Sequence, residues 1–372
     1  MTSRTETATT TLAALAIVTG ALATPGPASA QSPPQGVEAA AERRPVATYS
    51  IVARDPATGE LGVAVQSHWF SVGPIVPWAE AGVGAVATQS FVDPSYGPLG
   101  LELMKGGKTA SRALAALLEA DENPEVRQVA MVDFEGDVAA HTGENAIIAA
   151  GHHVGENYSV QANLMESPAV WPAMAEAFER AEGDLAERML VALEAAQAEG
   201  GDIRGRQSAA LLVVDGDPTG KPWVDRIYDL RVEDHPEPLV ELRRLLHLAR
   251  AYREMNAGDE AMTVNDVPAA VEHYDAAAEA APEIAEMVYW AGITLASVGK
   301  VDQALPRLEE AYAADPRWAV LTARLPEAGL LPDDAELLAR LLAIDGGEPG
   351  MEEWRRLAEQ GNAPTPVGGG SE

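Results

Sequence analysis

Residues Ala47-Thr48-Tyr49-Ser50-Ile51-Val52-Ala53-Arg54 run into the turn signal Asp55-Pro56-Ala57-Thr58-Gly59. The chain then continues through Glu60-Leu61-Gly62-Val63-Ala64-Val65-Gln66-Ser67. Two β-branched runs joined by an Asp-Pro…Gly connection predict an antiparallel hairpin. Period-two alternation sets Thr48 and Ser50 on one face of the first strand. Ser67 and His68 close the second strand, where the hairpin returns to the start of the first. Hydroxyls gathered at one end of a hairpin mark the place where chemistry is expected.

The apolar runs that follow read as strands at Gly82 to Ser90, Val126 to Asp133, Val138 to Thr142, Tyr158 to Leu164, Gln207 to Val214 and Trp223 to Val232. Between them, helices are predicted in pairs: Tyr96 to Met104 with Thr109 to Ala120, and Ala169 to Ala181 with Asp184 to Glu199, the last stopped by Gly200-Gly201. This is not the strict alternation of a doubly wound sheet. It suits an α+β chain with antiparallel sheets face to face and helices outside, a four-layer αββα sandwich. The order also disposes of Gly82-Val83-Gly84-Ala85-Val86-Ala87 as a dinucleotide fingerprint, because no helix opens on those glycines.

With 26 Lys and Arg against 57 Asp and Glu, the net charge of −31 disfavours nucleic acid and anionic membrane surfaces. The N-terminus reads as an export signal over residues 1–30. Arg4 precedes an apolar run from Thr11 to Ala23, too short to span a bilayer, and Ala28-Ser29-Ala30 offers a small-x-small cleavage site. The product is expected to be periplasmic or secreted, with no transmembrane segment in the mature chain. Residues 31–46, rich in Pro and Gln, read as a linker. Cysteine is absent, which excludes a Cys nucleophile and disulfides. His152-His153 lacks any matching acidic ligand spacing, so neither a metal nor another cofactor is expected.

After a sandwich over 47–236, the composition turns to Ala, Glu and Leu. A helix is predicted from Glu237 to Met255. Ala251, Gly258, Ala270, Tyr274, Ala277 and Pro282 then match Ala285, Gly292, Ala304, Leu308, Ala311 and Pro316 at a constant offset of about 34, the tetratricopeptide period. The helical region is therefore set at 237–345, with repeats at 251–284 and 285–318 and a cap at Asp333 to Ile344. Residues 346–372 are expected to hold a short helix, Glu352 to Gln360, and a disordered Pro/Gly tail.

A Thr at the start of a strand becomes a nucleophile when its own backbone amine is freed. That amine, with a pKa near about 8, takes the hydroxyl proton, so no histidine is needed. For Thr48 this requires a cut after Ala47, 17 residues beyond the predicted signal site. The plain alternative is that Thr48 and Ser50 are ordinary strand residues. Ser67 and His68 face opposite ways as strand neighbours, which argues against a direct pair. Gly201-Asp202-Ile203-Arg204-Gly205-Arg206-Gln207-Ser208 sets two arginines between glycines and a strand, suited to a carboxylate or to a structural ion pair.

The blocks Tyr49 to Pro56, Gly59 to Ser67, Gly82 to Gln89, Pro94-Ser95-Tyr96-Gly97, Tyr158 to Asn163, Gly205 to Ala210 and Asp229-Leu230-Arg231-Val232 resemble an uncharacterised bacterial and archaeal family, domain of unknown function 1028. The resemblance covers about 46–245 and implies the N-terminal-nucleophile (Ntn) hydrolase fold, with amide hydrolysis by an N-terminal Thr, Ser or Cys. It sets Thr48 at the nucleophile position and Ser67 near a polar helper. No lysine stands on the third strand, where threonine-type members carry one, and Ala47 stands where a Gly often precedes the cut. Two readings follow. In one, an exported amidohydrolase acts on a small amide or peptide-like substrate, with Ser50, His68, Gln89, Asn163 and Arg206 lining the pocket and amide donors from Gln89 and Asn163 on the oxyanion. In the other, a non-catalytic envelope protein binds a protein partner through its helical repeats.

Overall fold

The computed structural model describes residues 46–363. The predicted signal, all but the last residue of the predicted linker, and the end of the tail lie outside the described residues. Val46 is not linker: it forms an antiparallel bridge with Ser90 and is fully buried.

Among the described residues, ten strands form two antiparallel sheets. β1 (Thr48–Arg54), β2 (Leu61–Ser67), β7 (Gly151–Gly155), β8 (Tyr158–Asn163), β9 (Ser208–Val214) and β10 (Arg226–Val232) make one, in the order β10-β9-β2-β1-β8-β7. β3 (Pro77–Glu80), β4 (Gly84–Ser90), β5 (Arg127–Asp133) and β6 (Val138–Thr142) make the other, in that order. β3 and β7 were not predicted. Pro-Trp-Ala-Glu is too short and opens on proline, and Gly-His-His-Val-Gly is an edge strand without an apolar alternation. The strand predicted from Trp223 begins only at Arg226.

The helix pairs are α1 (Tyr96–Lys105) with α2 (Ala110–Ala120), and α3 (Val170–Arg180) with α4 (Leu185–Ala198). Strand alternation decides the layers. Val52, Leu61, Val63 and Val65 meet Ala85, Ala87, Ala130 and Val132 between the sheets. Tyr49, Ile51, Val160 and Leu211 point the other way, onto Met174, Phe178, Met189 and Leu193 of α3 and α4. On the far side, Val86, Val129 and Met131 pack against Leu101, Met104 and Leu114 of α1 and α2. Thr48, Ser50 and Ser67 share the parity of Val52 and Val65 and therefore lie between the sheets.

α5 (Pro238–Thr263) joins this body to the helical region. Its 26 residues extend about 39 Å, well past the predicted end at Met255. Leu239, Leu242 and Leu246 complete the core over α4, and Arg243 bonds Glu187 and Glu194 at 2.7 Å. Further along, Ala251, Met255 and Gly258 pack instead against α6 (Val267–Ala280). The next pair is α7 (Ala285–Ser297) with α8 (Val301–Ala314). A Cβ on Gly258 would stand 2.5 Å from the Tyr274 ring, and one on Gly292 would stand 2.9 Å from Leu308. Each pair thus crosses on a glycine that only a bare Cα fits. α9 (Arg317–Thr322), α10 (Ala335–Leu342) and α11 (Glu348–Glu359) cover the end around the buried Trp354. No helix among the described residues is long and apolar enough to cross a membrane.

Candidate active site

The register of β1 sets Thr48 opposite Ser67 on one side and Asn163 on the other. Thr48 is wholly buried, and its Oγ1 lies 2.8 Å from the Val46 carbonyl and 3.2 Å from Ser67 Oγ. The Ser67 hydroxyl donates to the Ala47 carbonyl at 2.5 Å. Arg204 Nη2 donates to the same oxygen at 3.0 Å. The peptide bond directly before the Thr48 hydroxyl therefore has its carbonyl polarised by two donors, one of them cationic.

Arg204 is held for this task. Its Nε and Nη2 grip the two oxygens of Asp202 at 3.1 and 2.8 Å. Asp202 is buried and also accepts the backbone N–H groups of Arg204 and His68, at 2.9 and 3.1 Å. Four donated bonds offset the desolvation of that carboxylate and leave the guanidinium one orientation.

Behind Thr48, the space between the sheets holds a polar network in place of apolar packing. Ser50 Oγ donates to Gln89 Oε1 at 2.7 Å and accepts from Gln161 Nε2 at 2.6 Å. Gln89 Nε2 and Asn163 Nδ2 reach the Thr48 carbonyl at 3.2 and 3.4 Å. Both also donate to Gln128 Oε1, at 2.7 and 2.9 Å. Gln128 in turn donates to Thr142 Oγ1 and to the Ala162 carbonyl, each at 2.9 Å. The network fixes the Thr48 main chain from behind while Ser67 and Arg204 hold the residue before it. Asn163 Oδ1, beside Thr48, and Ser90 Oγ, beside Val46, are buried without a hydrogen-bond partner among the described residues. Such orphans are uncommon away from sites that receive a ligand or water.

Of the residues singled out in the sequence, Thr48, Ser67, Ser50, Gln89 and Asn163 come together. Arg206 does not: it points outward into an ion pair with Glu237, so Arg204, two residues earlier, takes the inward position. Gln89 and Asn163 are not free for an oxyanion, because their amides are spent on the Thr48 carbonyl and on Gln128. His68 gives its backbone N–H to Asp202, and its Nδ1 is buried without a partner among the described residues. Sequence reasoning missed Gln128 and Gln161. The signal was a glutamine flanking or interrupting the apolar residues of each of two strands, Arg-Gln-Val-Ala-Met-Val-Asp and Tyr-Ser-Val-Gln-Ala-Asn. Among the described residues, no group of three or more His, Asp or Glu is placed to hold a metal ion.

The family model described as "Family of unknown function (DUF1028)" matches residues 48–242, more than half of the chain. The chain belongs to the DUF1028 family. A solved structure of protein SPO2555 from Silicibacter pomeroyi, carrying the same family label, is 29% identical with a TM-score of 0.49. That match covers 55% of this chain and 89% of the other. No curated protein matches.

The DUF1028 region contains the whole site, including the ion pair that shapes the Ser90 turn. Arg127 bonds Asp121 through Nε at 2.6 Å and donates to the Phe91 carbonyl at 2.5 Å. Burial opposes ionisation of Asp121, but the bonds from Arg127, Asn123 and Tyr96 outweigh it and bring its pKa down to about 2. A carboxylate lowered on folding adds stability above its unfolded pKa near about 4 and loses it as pH falls toward 2. The protein is therefore expected to lose melting temperature between pH 4 and pH 2. Asp121→Asn, measured by thermal melts across that range, is expected to melt lower at pH 7 and to show a flatter acid limb than the wild type.

Proposed function

We propose that this protein is an exported amidohydrolase of the N-terminal-nucleophile type, made as a precursor and activated by its own cleavage between Ala47 and Thr48. The observation that carries the reading is the Ala47 carbonyl, held by Ser67 and Arg204 next to the Thr48 hydroxyl. The order of layers, helix pair, sheet, sheet and helix pair, agrees with the αββα sandwich of that superfamily.

In the precursor, Thr48 Oγ1 attacks the Ala47 carbonyl carbon and the oxygen takes the negative charge. Ser67 Oγ and Arg204 Nη2 lie where that charge develops. The C–N bond breaks as the Thr48 nitrogen takes up the proton lost from Oγ1, leaving an ester between Ala47 and Thr48. Water hydrolyses the ester, which gives an Ala47 carboxylate and a free Thr48 amine. The amine then serves as base for the Thr48 hydroxyl toward an incoming amide, and the same two donors receive its oxyanion. Burial agrees with a precursor state: with Val46 and Ala47 in place, no substrate reaches Thr48.

The chain prepared from Gln31 onward and freed of proteases is expected to release residues 31–47 at a rate independent of its concentration. A cut that slows on dilution, or none, contradicts an intramolecular reaction.

A second reading has its own support. The helical region has the 34-residue period and glycine crossings of tetratricopeptide-like repeats. It also carries a pocket of about 800 Å³, open to solvent, lined by Tyr252, Met255, Tyr274, Trp290, Ile293 and Leu331. As a binding protein working through this region, the chain would keep its function in Thr48→Ala, whereas amide hydrolysis would vanish in that variant.

A further inference from the structure

We propose that the acyl side of the Thr48 site takes an extended peptide with a small residue at the bond to be cut and a β-branched apolar residue before it. Val46 and Ala47 are its first occupants. This rests on the reading of Thr48 as nucleophile and adds the substrate class.

Val46 is held by a single antiparallel bridge. Its N–H donates to the Ser90 carbonyl at 2.6 Å and its carbonyl accepts from the Ser90 N–H at 3.0 Å. Ser90 has φ +70°, the left-handed region that a non-glycine residue occupies only at a cost in backbone strain. The turn is held there from outside by the Arg127 bond to the Phe91 carbonyl. That conformation presents both main-chain groups of Ser90 to the segment beside it, the pairing by which a sheet edge receives a peptide strand.

Main-chain pairing accepts any sequence, so the side-chain surroundings make the choice. Val46 is fully buried in the apolar cluster with Val65, Val72, Val76 and Ala87. A charge in that place would be buried without a partner. Ala47 is also fully enclosed, so a large side chain there would have to displace its surroundings. Beyond the bond, Arg204 faces the Ala47 oxygen, which becomes a carboxylate once the bond is cut. The leader is therefore a substrate first and a bound product afterwards.

The test uses the full chain and two kinds of measurement. Val46→Lys and Ala47→Phe are compared with Val46→Ile and Ala47→Gly. Cleavage is read by intact mass, and folding is checked by circular dichroism melts. The first pair is expected to cut at least about tenfold more slowly than the wild type, and the second pair within about threefold of it. The cleaved wild-type protein, dialysed free of its leader, is then titrated with the pentapeptide Arg-Arg-Pro-Val-Ala and with Arg-Arg-Pro-Lys-Phe. The first is expected to bind at least about tenfold more tightly. A protein that cleaves itself but treats all four variants alike, or binds the two peptides equally, overturns the acyl-site assignment and leaves the nucleophile reading standing. A wild-type chain that never cuts overturns the nucleophile reading, and this assignment with it.

Discussion

Thr48→Ala is expected to stop cleavage after Ala47 altogether, leaving one uncut species in the mass spectrum, whereas Thr48→Ser restores it. The reason is chemical. The Ala47–Thr48 bond is the one whose carbonyl has two donors, and removing the Thr48 hydroxyl removes the attacking group of the proposed reaction. Losses of about 10⁶-fold accompany deletion of a nucleophile, which on a processing timescale reads as none. Ser67→Ala and Arg204→Gln each take away one donor and are expected to slow the cut by about 10²-fold, the usual effect of losing one oxyanion contact. A folded Thr48→Ala chain that still yields Thr48-length product minus its leader would place the chemistry elsewhere.

Gln128→Leu has the largest expected effect on stability. The side chain is wholly buried, nearly matched in volume by leucine, and accepts from both Gln89 and Asn163. Its loss leaves two buried amide donors short of an acceptor, and the Ala162 and Gly151 carbonyls and the Thr142 hydroxyl short of a donor. At roughly 1–3 kcal/mol for an orphaned buried group, partly relieved by the bonds that remain, the cost is about 2–5 kcal/mol in denaturant unfolding. Gln66→Leu makes the control. Gln66 is equally buried, but both its amide atoms lack a partner among the described residues. Replacing it is expected to be neutral or to stabilise by about 1–2 kcal/mol, because the desolvation is already suffered without a compensating bond. Gln66 has the parity of Ala64 and faces the helix side of its sheet, so equal losses in the two variants would show that packing, and not the polar network, sets the cost at Gln128.

The hairpin from Ala47 to Ser67 was legible because its β-branched alternation and its turn are local, and the facing of Thr48, Ser50 and Ser67 follows from parity alone. Antiparallel sheets with outer helix pairs were also legible, from the order of runs. Which strands share a sheet was not, because β1 pairs with β8 across more than a hundred residues and no local pattern records that partner. The exchange of Arg206 for Arg204 has a similar cause. Both sit in a loop without strand parity, and only the grip of Asp202 decides which arginine turns inward. Gln128 and Gln161 have no partner within their own strands to mark them; they acquire a role only when the two sheets are stacked, where Gln128 meets Gln89 and Asn163 and Gln161 meets Ser50.

The sequence of the first residues in the protein recovered from its native compartment, with its intact mass, tests the central claim most directly. The account predicts a chain that begins at Thr48 with a free amine. A chain that begins at Gln31 or earlier, folded and stable on storage, would contradict it.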